Sequence, residues 1–127
     1  GNMGMKLHFH VADVSKPLLS VKRIADCGNA VHFGPGKEEN YIYNKESGNK
    51  VMLRETPTGS YVMDVALAES GLTEITVDSG AEDNVCPTNW APEFPCGPAS
   101  VLKHFRGANG HAIRHWGDKE VLVTSPF

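Results

Sequence analysis

The sequence predicts an all-β domain of barrel or sandwich type carrying one short helix, and three observations predict it. The 13 glycines and 8 prolines interrupt the 127-residue chain too often for long helices to form. Between these breaks lie period-two runs rich in β-branched and aromatic residues. The length, with 40% apolar residues, suits one modest hydrophobic core, so a single domain over residues 1–127 is expected.

The elements follow in order. Lys6–Val11 alternates apolar and polar residues and reads as the first strand. Ser20–Cys27 is the one helical stretch: Val21, Ile24 and Ala25 fall at i, i+3 and i+4, and Gly28-Asn29 supplies a C-terminal stop. Ala30–Phe33, Tyr41–Tyr43 and Lys50–Arg54 are strands, the last two joined by the turn-rich Asn44–Asn49. Pro57-Thr58-Gly59 turns the chain into Ser60–Val65, and Ala66–Leu72 connects that strand to Thr73–Val77. Pro87–Ser100, with Pro87, Pro92, Pro95 and Pro98, reads as a long surface loop, after which Ser100–His104 has room for a helical turn. Gly107-Ala108-Asn109-Gly110, between Leu102–Phe105 and His111–Arg114, forms a hairpin tip able to flex as a lid over a cleft does. Ala112–Trp116 and Glu120–Thr124 are the last strands, and there is no internal repeat or low-complexity tract.

Charge and composition exclude several classes of function. With 12 basic and 15 acidic residues the net charge is -3, and no basic run exceeds two residues, so the chain lacks the electrostatic footprint of a nucleic-acid binder. Its apolar stretches fall far short of the roughly 20 residues needed to cross a bilayer, and no basic-then-apolar leader pattern opens the sequence. A soluble protein without a membrane partner is expected. Cys27, Cys86 and Cys96 form an odd set with no C-x-x-C spacing, which argues against a disulfide framework and a structural zinc site and points to an intracellular, cytoplasmic setting.

The most informative segment is Ile75-Thr76-Val77-Asp78-Ser79-Gly80-Ala81. A strand of β-branched residues delivers Asp78 into a tight turn, where Gly80 removes side-chain bulk and Ser79 offers a hydroxyl to the neighbouring backbone. Taken alone, Asp-Ser-Gly is ordinary turn chemistry. His8 and His10 share one face of the first strand, but nothing near them in sequence completes a metal-ligand spacing, so they read as a partly exposed polar face, with no metal and no cofactor expected. Cys86 reads as a small apolar filler rather than a nucleophile, and Trp90, Phe94, Phe105 and Trp116 as core, loop anchors or pocket walls.

The longer segment Asp78-Ser79-Gly80-Ala81-Glu82-Asp83-Asn84-Val85 resembles the active-site segment of retroviral-type aspartic proteases (retropepsins), in which Asp-Thr/Ser-Gly-Ala is followed by acidic residues and a hydrophobic one. The hairpin tip Gly107, Ala108, Asn109, Gly110 lies 29 to 32 residues after Asp78, a spacing comparable to that between aspartate and flap in that family. Lys16-Pro17-Leu18-Leu19-Ser20-Val21-Lys22-Arg23-Ile24, followed by Cys27-Gly28-Asn29-Ala30-Val31-His32-Phe33, is similar to the later hydrophobic loop and short helix of copia-type retrotransposon proteases. The halves stand in reversed order: residues 6–65 resemble the family's C-terminal half and residues 73–127 its N-terminal half with catalytic turn and flap. The resemblance therefore implies a circularly permuted acid-protease fold, a closed β-barrel with one short helix. In retroviral enzymes an arginine just after the loop glycine pairs with an acid near the active site; Val21 occupies that place here, leaving Lys22 or Arg23 to substitute.

The resemblance implies an aspartic endopeptidase acting on extended peptide or polyprotein segments. Its chemistry needs two adjacent carboxylates sharing a proton, one activating water and one donating to the carbonyl oxygen, because like charges about 3 Å apart do not both ionise. Asp13, Asp26 and Asp64 lack the Ser-Gly context, so this chain holds one candidate, Asp78, and a homodimer would supply the second. The implied roles are bracing across the two-fold axis by Ser79, a backbone carbonyl for substrate from Gly80, cleft lining by Glu82, Asp83, Leu18 and Leu19, and closure by the 107–110 flap. Two rivals stand beside this reading: a catalytically silent dimeric peptide-binding module of the same fold, and a monomeric structural domain in which Asp78 is only a turn residue.

Overall fold

Apolar side chains on alternate positions give each long strand one face to bury, and the chain arranges those faces around a single core. The computed structural model describes residues 4–99, 105–106 and 112–124. The strands are β1 (Gly4–Ala12), β2 (Leu18–Ser20), β3 (Asn29–His32), β4 (Tyr41–Asn44), β5 (Lys50–Met52), β6 (Arg54–Glu55), β7 (Tyr61–Leu67), β8 (Gly71–Asp78), β9 (Val85–Cys86), β10 (Phe105–Arg106), β11 (Ala112–Ile113) and β12 (His115–Thr124). One α-helix, α1 (Val21–Asp26), and a 3-10 turn at Lys37–Glu39 complete the described elements. The protein is thus predominantly β, as its glycine and proline spacing predicts. No helix among the described residues is long and apolar enough to cross a membrane.

The main sheet runs β12-β1-β9-β2-β8-β7-β6, and β12 also pairs with β7 through Val123↔Leu67 and Thr124↔Ala66. β3, β4 and β5 form a separate antiparallel sheet. The longest pairing joins the two ends of the described chain, with β1 antiparallel to β12 from Gly4↔Thr124 to Ala12↔His115. β7 and β8 form a hairpin whose turn is only Ala68–Ser70, so most of the segment expected as a connector is strand. Its flank carries a guanidinium bridge, in which Arg54 of β6 reaches both Asp64 of β7 and Glu74 of β8.

The core is built from alternate residues of these strands: Phe9 and Val11 of β1, Met63 and Val65 of β7, Ile75 and Val77 of β8, and Val121 and Val123 of β12 are all nearly inaccessible. Each such side chain contributes about 1.5–3 kcal/mol of apolar transfer free energy. Leu19, from the short β2, is the only member of its strand at the centre of this cluster. Trp90, from the irregular segment after β9, packs edge-on against Phe9 with ring centroids 5.1 Å apart and donates its indole N–H to Thr73 at 3.1 Å. The proline-rich stretch is therefore fastened to the core although it lacks regular structure.

Helix α1 begins and ends where the sequence says. Ser20 is the N-cap, its hydroxyl accepting from the Arg23 amide, and Gly28 follows the helix at φ 85°, a left-handed conformation that glycine adopts without steric cost. The two expected strands Ala112–Trp116 and Glu120–Thr124 differ from what forms: residues 115–124 are one continuous strand. Gly117, which would ordinarily break it, sits at a bulge opposite Val11/Ala12 and keeps the ladder running on both sides. Ser100–His104 and the 107–110 tip lie outside the described residues, while the arms flanking the tip pair as Phe105↔Ile113 and Arg106↔Ala112.

Candidate functional site

Asp78 is the last residue of β8, and two hydrogen bonds to it hold the turn that follows. The Asp78 carboxylate accepts the Gly80 amide at 2.8 Å, and the Asp78 carbonyl accepts the Ala81 amide at 3.4 Å. The aspartate stabilises its own turn, as short polar side chains do. It remains half-buried, with Ser79 and Gly80 exposed beside it.

Around this turn, β2 is threaded between the strands that enter and leave it. Leu18, Leu19 and Ser20 run parallel to β8 with Thr76, Val77 and Asp78 as partners, and Leu18 pairs antiparallel with Val85 of β9. Ser20 is therefore set directly beside Asp78. Fully buried, it donates its hydroxyl to the Ala81 carbonyl at 2.8 Å and its amide to the Asn84 side-chain oxygen at 2.8 Å. Asn84 in turn donates to the His8 carbonyl at 3.1 Å, and its own carbonyl accepts the His10 amide at 2.9 Å. The loop from Asp78 to Asn84 is thus stapled to β2 on one side and β1 on the other.

An ion pair closes the arrangement. Arg23, on the first turns of α1, donates through Nε to Asp83 Oδ1 at 2.8 Å and lies against the same oxygen through Nη2 at 2.5 Å. Of Lys22 and Arg23, it is Arg23 that contacts this acid. The Asp83 side chain is only 9% exposed, so its charge is compensated where it is sheltered from water.

The structure brings some of the sequence-predicted residues together and separates others. Asp78, Ser79, Gly80 and Ala81 form the turn, Glu82 is exposed on it, and Asp83 faces inward to Arg23. Leu18 is half-buried and Leu19 is a core residue. A cavity of about 880 Å³ lies on the β1 and α1 side of the loop, lined by Leu7, Leu19, Ile42 and Met63 with His8, His10, Arg23 and Asp83 at its polar rim. Asp78 does not line it. The four flap residues, Gly107 to Gly110, are outside the described part of the chain.

Sequence reasoning missed one constellation. The two histidines expected on a partly exposed polar face divide: the His8 side chain is 48% exposed, whereas that of His10 is 11% exposed with its Nδ1 2.8 Å from Asp118 Oδ1. His8 Nε2 is 3.1 Å from Asp118 Oδ2, and His115 Nε2 is 2.9 Å from Asp118 Oδ1. His10 and Asp118 are direct cross-strand partners of β1 and β12, so they share a face, yet 108 residues separate them in the chain. His115 and Asp118 are three apart and would point to opposite faces of a regular strand; the bulge at Val11/Ala12 turns them to the same side. The only sequence signal was two histidines at i, i+2 on a strand and an aspartate on another, which becomes informative once that pairing is known.

Comparison of the chain with protein-family models, with curated proteins and with solved structures returns no match.

Proposed function

We propose that this protein is an aspartic endopeptidase of retropepsin-like type, which hydrolyses extended peptide or polyprotein segments through a homodimeric pair of Asp78 carboxylates. The observation that carries the reading is the threading of β2 between β8 and β9, which sets Ser20 beside Asp78 and fixes the loop that follows. A turn anchored on three sides is what a reaction needs when one carboxylate must be held within hydrogen-bond reach of its copy. The Arg23–Asp83 pair supports the reading, since it joins the helix after Leu18–Ser20 to the acidic segment after Asp78, although Val21 holds the position of the family's arginine. Pairing of β12 with both β1 and β7 supports a closed barrel, and the β1–β12 ladder supports a circular permutation whose original connection joined those strands.

In this mechanism the two Asp78 side chains share one proton across the two-fold axis. The ionised carboxylate takes a proton from water as the oxygen attacks the peptide carbonyl, and the protonated one donates to the developing oxyanion. Collapse of the tetrahedral intermediate returns a proton to the leaving amine. Because Asp78 does not line the large cavity of the single chain, the substrate cleft in this reading is made only when a second chain covers the turn. The free thiols of Cys27, Cys86 and Cys96 suit a reducing, intracellular setting.

The test is a peptide-library cleavage assay across mildly acidic and neutral pH with the intact chain and with Asp78→Asn. Cleavage that disappears in the Asn variant and is blocked by a statine-type inhibitor supports the peptidase. Dimerisation and peptide binding without turnover would favour the silent binding module, and cleavage equal in the two proteins would eliminate the mechanism.

A further inference from the structure

On the face of β1 and β12 away from the core, two imidazoles and a carboxylate converge in a way that the peptidase reading does not use. We propose that His8, His10 and Asp118 form a binding site for a divalent first-row transition ion, with Zn2+ as the reference case. Three observations carry it. First, the ligand atoms of these residues all lie within 4.8 Å of one another. His8 Nε2 and His10 Nδ1 stand 3.1 and 2.8 Å from the two oxygens of Asp118. Metal–ligand bonds of about 2.0–2.1 Å in tetrahedral geometry place neighbouring donors about 3.3–3.4 Å apart, so each imidazole has to draw back from the carboxylate by about 0.2–0.6 Å, while the span of up to 4.8 Å across the cluster closes toward the same separation.

Second, the donor set has the right chemistry and the right surroundings. Two neutral imidazoles and one carboxylate suit zinc, cobalt and ferrous ions and exclude calcium or magnesium, which take all-oxygen shells. Three protein ligands leave further coordination positions for water, and His8, whose side chain is 48% exposed, stands at the solvent side of the site. Asp118 is 7% exposed, so an ion there would be held by a largely desolvated carboxylate.

Third, a supporting shell is already in place. His115, 1% exposed, holds Asp118 Oδ1 at 2.9 Å and fixes that carboxylate's orientation. Asp83 Oδ1 lies 3.9 Å from His10 Nε2, the ring nitrogen that would carry the proton once Nδ1 bound metal, and Asp83 is itself fixed by Arg23. A carboxylate facing the distal nitrogen of a ligating histidine is the usual device for setting its tautomer. Ion binding displaces the hydrogen-bond proton between each imidazole and Asp118: a neutral ring moves it to its other nitrogen, and a protonated ring releases one to solvent. Because Asp83 lies in the loop that begins at Asp78, an ion at this site would stiffen the loop as well.

The experiment uses the intact chain stripped with chelator and titrated with CoCl2 and ZnCl2. Expected are one ion per chain by calorimetry and a visible Co2+ absorption of a low-coordinate nitrogen and oxygen site that one equivalent of Zn2+ abolishes. His8→Gln and Asp118→Asn should each weaken binding by at least about tenfold, while His32→Gln, on β3, should leave it unchanged. His8→Gln is the decisive variant, because His8 is half exposed and its loss leaves the core intact. No saturable binding, or equal affinity in His8→Gln and the parent chain with both folded by circular dichroism, would overturn the proposal.

Discussion

Ser20 and Ala81 are joined by a hydrogen bond of 2.8 Å from the Ser20 hydroxyl to the Ala81 carbonyl, and the same oxygen caps helix α1 by accepting the Arg23 amide at 3.2 Å. One buried side chain therefore anchors the loop after Asp78 and starts the helix that carries Arg23.

Replacing Ser20 with Ala removes both bonds at once. The lost cap costs about 1 kcal/mol, and the half-buried Ala81 carbonyl left without its donor costs a further 1–2 kcal/mol or so, the lower part of the range for a buried group. Urea unfolding should show Ser20→Ala destabilised by about 2–3 kcal/mol with an unchanged m-value. A loss near zero would mean that the hydroxyl contributes nothing to fastening the loop.

Gly117→Ala should be destabilising for a steric reason. A Cβ at position 117 would stand 2.2 Å from the Gly97 carbonyl oxygen, a backbone atom that moves only with its chain. The reciprocal bonds between Gly97 and Asp118, at 2.8 and 3.1 Å, would have to part, detaching the proline-rich segment from β12. Overpacking of this kind costs about 1–3 kcal/mol, readable as a fall in midpoint on thermal unfolding. A midpoint equal to that of the parent chain would show that the segment relaxes freely.

The three thiols should separate by reactivity. Burial pushes the Cys86 thiol up to about 11, against a smaller opposing effect of Lys119, whereas Cys27 and Cys96 are exposed. At pH 8 a thiol reagent should label two cysteines rapidly and Cys86 only after unfolding, because the thiolate is the reactive form. Rapid labelling of all three would contradict the packing around β9.

Glu93 provides a pH-dependent lock. Its carboxylate accepts the Ser70 hydroxyl at 2.6 Å and the Glu69 and Ser70 amides at 2.9 Å, tying the β7–β8 turn to the irregular segment. The Ser70 hydroxyl is the main cause that holds Glu93 down to about 2, from an ordinary value of 4.5. A depressed carboxyl contributes its stability in full above its unfolded value and loses it as pH falls through the folded one, so the lock should weaken between about pH 4.5 and 2. Carboxyl NMR titration should give a midpoint near 2 that rises toward 4.5 in Ser70→Ala; an ordinary midpoint in the parent chain would contradict these contacts.

Local features were the legible part of the fold. Alternation marked Lys6–Val11 and Thr73–Val77 as half-buried strands, and the Gly28-Asn29 stop fixed the end of α1 within a residue. What the sequence concealed depends on pairing across distance. Nothing near Leu18–Ser20 says that so short a strand is inserted between two arms of another segment. The Arg23–Asp83 contact spans 60 residues, and the histidine–aspartate cluster depends both on the register of β1 against β12 and on a bulge that defeats the period-two rule at His115.

The central claim is that one chain supplies half of a catalytic centre. Its most direct measurement is the peptidase activity of a fixed amount of the parent protein after equilibration with increasing amounts of Asp78→Asn. A dyad shared between subunits predicts that activity falls toward zero as mixed dimers replace the parent homodimer. Activity that holds constant across the whole titration, while sedimentation shows the mixed dimers forming, would contradict it.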